Sequence, residues 1–155
     1  MSSQLKISIE DVDGKVVVSY EGQIDEDADF SQVDLGQYTS LVFDLEKVTH
    51  LNSCGIREWI KFQDSNVKGK EVLYRKCPQV IVEQMNIVKG FVVEGGNIES
   101  FFAPYYNEAN DEEVKVLLQP SQVIDGKAPD IKDDDGNSLE FDDIEAQYFS
   151  FIKNL

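Results

Sequence analysis

Cys54 and His50 stand four residues apart and carry the side chains best suited to covalent or proton-transfer chemistry in this sequence. A thiolate is a nucleophile, and an imidazole exchanges protons near neutrality. Together they could form a Cys-His dyad, but residues to orient the histidine and hold an oxyanion are not evident around them. His50 is the only histidine, so any histidine-dependent triad or metal site would have to use it. No GxSxG, HExxH, P-loop or paired CxxC pattern occurs. Asp and Glu number 30 against 14 Lys and Arg, an abundance that makes any single carboxylate pair uninformative. The sequence reads as that of a protein that binds and does not catalyse.

Two other groups of residues could take a ligand. Asn52, Ser53, Cys54 and Gly55 precede a helical pattern, where Asn52 or Ser53 would satisfy free helix amides and Gly55 would let the backbone pass close. Cys54 at a helix start could serve as a thiol switch, or simply fill the space of a serine. The oxygens of Asp133, Asp135 and Asn137 suggest calcium. The residue five before Gly136 is Ile131, however, which breaks the EF-hand pattern, and 133–137 reads as an acidic solvated loop. Asn107 and Asn110, with Asp133 to Gly136 further on, are spaced like the two turns of a zinc ribbon that has lost its cysteines. Zinc there needs thiolate or imidazole, so no metal and no cofactor is expected.

The whole chain sets the context. At 155 residues, 41% hydrophobic and 28% charged, it has the material for one folded domain or a compact domain with an appendage. Its formal net charge of -16 repels nucleic-acid backbones and anionic lipid, and favours basic protein surfaces or cations. Two cysteines, no signal-peptide pattern at the start and no membrane-length apolar run make a cytoplasmic location the expectation. Oligomeric state is not readable from the pattern.

The elements follow from periodicity. Leu5, Ile7 and Ile9 alternate as in a strand, Asp13-Gly14 marks a hairpin, and 15–21 supplies the returning strand. A short helix fits 28–33. The apolar run 41–45 suits a strand covered on both faces, with a loop after it. A helix follows with Ile56, Trp59 and Ile60 on one face, ended by Gly69. Strand 71–75 comes next, then a helix with Pro78 in its first turn and Ile81, Met85 and Val88 inward, stopped by Gly90. Beyond Gly95-Gly96 an aromatic stretch, 97–106, turns at 107–111 into a second strand over 113–119. A loop with Pro120, Gly126 and Pro129 leads to the acidic knot. Asp142 or Asp143 would cap a last helix whose apolar face is Ile144, Tyr148, Phe151, Ile152 and Leu155.

Three segments resemble the STAS domain family, which includes anti-sigma factor antagonists. Gly22-Gln23-Ile24-Asp25 is similar to the family's Gly-Glu-Leu-Asp. The stretch 42–55, ending Asn52-Ser53-Cys54-Gly55, resembles its buried strand and Asp-Ser-Ser-Gly loop. Residues 72–75 and 80–85 resemble the next strand and helix. The resemblance spans about Leu5 to Phe91. It implies an α/β fold, a mixed sheet backed by helices over 1–94; where the family has its final helix this chain departs from it, and a hairpin and helix extension over 95–155 is expected to pack on the domain. It further implies a bacterial interaction module for transcription regulation and signal transduction. Its partner would be a kinase or anti-sigma factor, contacted through Asn52, Ser53, Cys54, Gly55 and Asp25. In the family, phosphorylation of the second serine switches binding off. Here that position is Cys54, and Asn52 replaces the aspartate. Ser53 aligns with the first serine and is the remaining candidate for phosphorylation, so binding without the usual switch is expected. The alternative is a redox- or metal-responsive sensor using Cys54 or the acidic loop 133–137.

Overall fold

A computed structural model describes residues 4–154. Strand β1 (Lys6–Val12) and strand β2 (Lys15–Ile24) pair antiparallel. Their two-residue turn works because Asp13 and Gly14 both adopt positive φ, 52° and 82°, matching the twist of a tight hairpin. The short helix expected over 28–33 is a single 3-10 turn, Phe30–Gln32, capped by the Asp29 side chain. Strand β3 (Ser40–Leu51) runs parallel to β2. Helix α1 (Ser53–Asn66) then crosses to strand β4 (Glu71–Arg75), parallel to β3. Helix α2 (Gln79–Ile87) leads to the two-residue strand β5 (Asn97–Ile98), parallel to β4. The result is a mixed five-stranded sheet in the order β1-β2-β3-β4-β5.

β3 is longer than its apolar run, replacing the loop expected after Leu45. Its ladder against β2 absorbs one extra residue between Asp44 and Lys47 and another, Thr49, between Val48 and His50, through register shifts between Ser19 and Glu21 and between Gly22 and Gln23. The shifts bring Val48 back inside, 3% exposed, so pairing continues to Leu51. Pro78 lies one residue earlier than expected, as the N-cap of α2.

The buried face of this sheet presents Val16, Val18 and Tyr20 of β2, Leu41, Phe43 and Leu45 of β3, and Val72 and Tyr74 of β4. α1 covers it with Trp59 and Phe62. The Trp59 ring meets Tyr20 edge-on at 5.3 Å and Phe43 at 5.7 Å, and Phe30 stacks on Phe62 at 4.9 Å. Each such side chain contributes about 1.5–3 kcal/mol by leaving water. The buried polar groups among them pin the loop 88–96. Phe91 O accepts from Trp59 Nε1 at 3.0 Å and Gln63 Nε2 at 2.7 Å. The Tyr74 hydroxyl donates to Gln63 Oε1 and accepts from Val93 N. The Tyr20 hydroxyl is buried without a hydrogen-bond partner among the described residues, and burial raises its pKa well above the ordinary value.

A second, antiparallel sheet is built from strands β6 (Phe101–Asn107), β7 (Glu112–Leu118), β8 (Ile131–Lys132) and β9 (Ser138–Phe141), in the order β7-β6-β9-β8. The β6-β7 hairpin is the expected aromatic one. The β8-β9 hairpin stands where a loop was expected, and its turn is the acidic knot. Asp133 Oδ1 accepts from the backbone N–H groups of Asp135 and Asn137, and Gly136 takes φ 84°. Neither aspartate caps the last helix. Asp142 N instead donates to Pro104 O, prolonging the β9–β6 contact, and α3 (Glu145–Tyr148) starts after an exposed Ile144. Ile144 therefore leaves the expected apolar face, which is made by Tyr148, Phe149 and Phe151. A 3-10 turn, Ser150–Asn154, follows, and Leu155 lies outside the described residues.

The two sheets meet through Cys77, which bridges to Phe101 and whose carbonyl accepts from Phe102 N at 2.8 Å. α2 packs on β3, β6 and α3, and its Asn86 reaches the tail by donating to Tyr148 O and accepting from Phe151 N. Buried side chains on both sides of residue 94 join one continuous apolar cluster. No helix among the described residues is long and apolar enough to cross a membrane.

Candidate functional site

The parallel pairing of β2 and β3 places their C-terminal ends side by side, with Ile24 opposite Leu51. Asp25 and the 52–55 loop therefore leave the same end of the sheet, as parallel topology requires. Asn52 N donates to Ile24 O at 3.2 Å, carrying the contact one residue past the strand. The Asn52 side chain does two jobs. Its Oδ1 accepts from Gly55 N at 2.8 Å and caps α1, while its Nδ2 donates to Glu26 Oε2 at 2.7 Å. The Glu26 carboxyl is held below its ordinary pKa, first by that amide and then by its own backbone N–H.

Gly55 wedges the first turn of α1 against the end of β2. A Cβ there would lie 1.8 Å from Ile24 O and 2.6 Å from Asp25 N. Asp25 is buried, with its Oδ1 accepting from Asp27 N at 3.0 Å and its carbonyl from Ala28 N, which turns the chain away from the sheet. Of the five residues expected here, Asn52, Gly55 and Asp25 shape the loop. Ser53 and Cys54 are exposed on the first turn of α1 and free to meet another molecule. No acidic side chain occupies that turn, so its amides present a partly positive end. Glu26, Asp27 and Asp29, exposed in the segment after Asp25, make an acidic ledge that Glu26 ties to this loop.

Glu26 was not singled out in the sequence. The signal was available in the acidic run after Ile24, but its pairing with Asn52 is fixed only by the parallel strand ends. His50 lies on β3 opposite Gln23 and is exposed. Cys77 is the opposite of Cys54, buried at the junction of the sheets, its thiol pushed far up by burial and then by Asp44 and Glu99.

The second group of residues is drawn together by the hairpin turns of the second sheet. Asn107, 3% exposed, donates to Asp133 Oδ2 at 2.9 Å and accepts from Ala109 N at 3.0 Å. Asp133 Oδ2 also accepts from Asn137 Nδ2, so this carboxylate takes four hydrogen bonds and joins the two turns. Its pKa is held low by Asn137 first, with Asn107 and Asp135 assisting. Asn110 turns inward to its own loop, accepting from Glu112 N. No group of three or more His, Cys, Asp or Glu side chains among the described residues is arranged to hold a metal ion.

The chain matches no model of a known protein family and no curated protein sequence.

Proposed function

We propose that this chain is a STAS-like regulatory module that binds a protein partner of the kinase or anti-sigma factor type through Ser53 and Cys54. The observation that carries the reading is the exposure of these two side chains on a helix start otherwise locked by Asn52 and Gly55. Support also comes from the order of the mixed sheet, whose one antiparallel hairpin precedes parallel strands joined by helices. A rigid loop with two free side chains suits recognition, because little ordering entropy is lost on contact. The acidic ledge beside it favours a partner with a basic rim.

Cys54 occupies the position at which a serine would receive phosphate in the resembled family. A phosphate on a helix start is tolerated by the free protein but disrupts a packed interface, and Cys54 removes the acceptor. Binding is therefore constitutive with respect to serine kinases. The tests are affinity capture of the cytosolic partner and phosphosite mapping of native protein. Cys54→Arg should keep the wild-type melting temperature and lose the partner. Equal capture by the variant would defeat the binding site, and a phosphate on Ser53 would defeat the constitutive reading. Oxidation of the exposed Cys54 thiol that tracks partner release would favour the redox alternative.

A further inference from the structure

The sequence contains three Asp-Gly steps, Asp13-Gly14, Asp125-Gly126 and Asp135-Gly136. Each is a point of chemical weakness, because glycine has no side chain to hinder the attack of its nitrogen on the carboxyl carbon of the preceding aspartate. All three lie in turns whose glycine has positive φ, 82°, 75° and 84°. Ring closure swings the peptide between the two residues out of the turn, so a step reacts only when its glycine N–H is free and the turn opens. On those two counts the structure separates three steps that are alike in sequence.

Asp135-Gly136 fails both. Gly136 N donates to Asp133 O at 3.1 Å, and the flanking Asp135 N and Asn137 N donate to Asp133 Oδ1 at 3.0 and 2.7 Å. At Asp13-Gly14 no hydrogen bond engages the glycine N–H among the described residues, but the turn is stapled by the whole β1-β2 ladder, from Val12 opposite Lys15 to Lys6 opposite Glu21. Asp125-Gly126 meets both. Gly126 N has no hydrogen-bond partner among the described residues, and an isolated bridge closes the turn, Ile124 N to Lys127 O at 3.3 Å and Lys127 N to Ile124 O at 3.0 Å. No strand prolongs that bridge, and Ile124 is 65% exposed, so opening breaks two hydrogen bonds and uncovers no core. We propose that Asp125 is a modification site, converting to isoaspartate through a succinimide shared with Gly126. Gly126 N bonds to Asp125 Cγ, and one carboxylate oxygen leaves as water with the amide proton and a proton from solvent. Water then adds to the main-chain carbonyl carbon of Asp125, and the bond from that carbon to Gly126 N breaks, which frees an α-carboxylate and returns the proton. The main chain now runs through Cβ and Cγ, one atom longer, with mass and net charge unchanged. The proposal is independent of the reading of the 52–55 loop.

The full chain, kept folded at neutral pH in water enriched in heavy oxygen, tests it. Each succinimide that hydrolyses takes up label from the water, and peptide mass spectrometry with electron-transfer fragmentation locates both label and isoaspartate. Asp125 should react first, exceeding Asp13 by several fold and Asp135 by more. In urea the three rates should converge, because the fold is what separates them. Gly126→Ala should slow the reaction at Asp125 by several fold, since the added methyl group hinders the nitrogen. Near-ultraviolet circular dichroism shows that this variant is folded. A carboxyl methyltransferase specific for isoaspartate should methylate aged wild type several fold more than the aged variant. Asp13 or Asp135 reacting ahead of Asp125 in the folded chain overturns the proposal. So does an Asp125 left unlabelled in the fold over a time in which the unfolded chain reacts, or rates as far apart in urea as in the fold.

Discussion

Gly55→Ala is a severe test of how α1 is seated, because two effects of opposite sign act on one methyl group. In a helix, alanine is favoured over glycine by about 1 kcal/mol, so propensity alone predicts a more stable protein. The packing predicts the reverse. The added carbon would lie 1.8 Å from Ile24 O and 2.2 Å from Ile24 C, where a comfortable contact is roughly 3.5 Å. Both are backbone atoms of a paired strand and have no rotamer to change. The start of α1 must retreat by more than about 1 Å, straining the Asn52 N to Ile24 O bond and loosening Trp59 from Tyr20 and Phe43. Overpacking costs about 1–3 kcal/mol and the hydrogen bond about 1 kcal/mol, so the net loss after the propensity gain is about 1–3 kcal/mol. At about 2–4 °C per kcal/mol for a chain of this size, the melting temperature falls by roughly 2–12 °C. Urea unfolding followed by the fluorescence of Trp59, the only tryptophan and fully buried, reports it directly. Gly69→Ala is the control. It has φ 88° and nothing within 4 Å of its would-be Cβ, so it carries backbone strain without a clash and should cost about 1 kcal/mol. Gly55→Ala as stable as wild type, or milder than Gly69→Ala, would refute the wedge.

Asn52→Ala should cost about 1 kcal/mol in urea unfolding through the lost cap. Glu26 has a lowered pKa in the fold, so the stability it gains from Asn52 is present above its unfolded pKa and fades as pH falls through the folded one. The gap between wild type and Asn52→Ala should therefore narrow in acid, and a gap that widens would contradict the link. Asp133→Ala should lower the melting temperature and speed amide exchange at Asp135 and Asn137. The low pKa of Asp133 has the same sign, with stabilisation at neutral pH that is lost on acidification, and unchanged exchange would show that the carboxylate does not hold the turns. Tyr20→Phe removes a buried hydroxyl that has no partner among the described residues and should be neutral or stabilising by up to about 1 kcal/mol, whereas a loss of that size would reveal a partner for it.

Local signals located most of the first sheet. The Asp13-Gly14 hairpin, strand β4 at its full length and both main helices follow from turn chemistry and apolar period, because each forms largely from its own residues. The end of β3 was hidden because register shifts against β2, before Lys47 and at Thr49, let the strand continue through the exposed Glu46 and Lys47 while keeping Val48 buried. The β8-β9 hairpin was hidden for a related reason. Its strands are two and four residues long, and its turn is organised by one carboxylate that also reaches the neighbouring hairpin. In the candidate site, Asn52 as a cap and Gly55 as a close-packing point were legible in the residue types. The link from Asn52 to Glu26 was not, since 26 residues separate them and only the parallel strand ends bring them together. The last helix misled because its aspartates look like caps, while strand pairing has already claimed the backbone of Asp142.

The grip of Asn86 on the tail has a kinetic side. Its partners Tyr148 and Phe151 lie 62 and 65 residues further along the chain, and the Phe101 ring that Phe151 covers is 50 residues before it. During synthesis, at about 5–20 residues per second, α2 and β6 leave the ribosome seconds before the side chains that shield them. For that interval the half-finished chain shows an aromatic face to the cell. Negative charge accumulates in two steps, over Glu21 to Asp34 before α2 and over Glu108 to Glu145 after β6, and like charge opposes contact between neighbouring nascent chains in that interval.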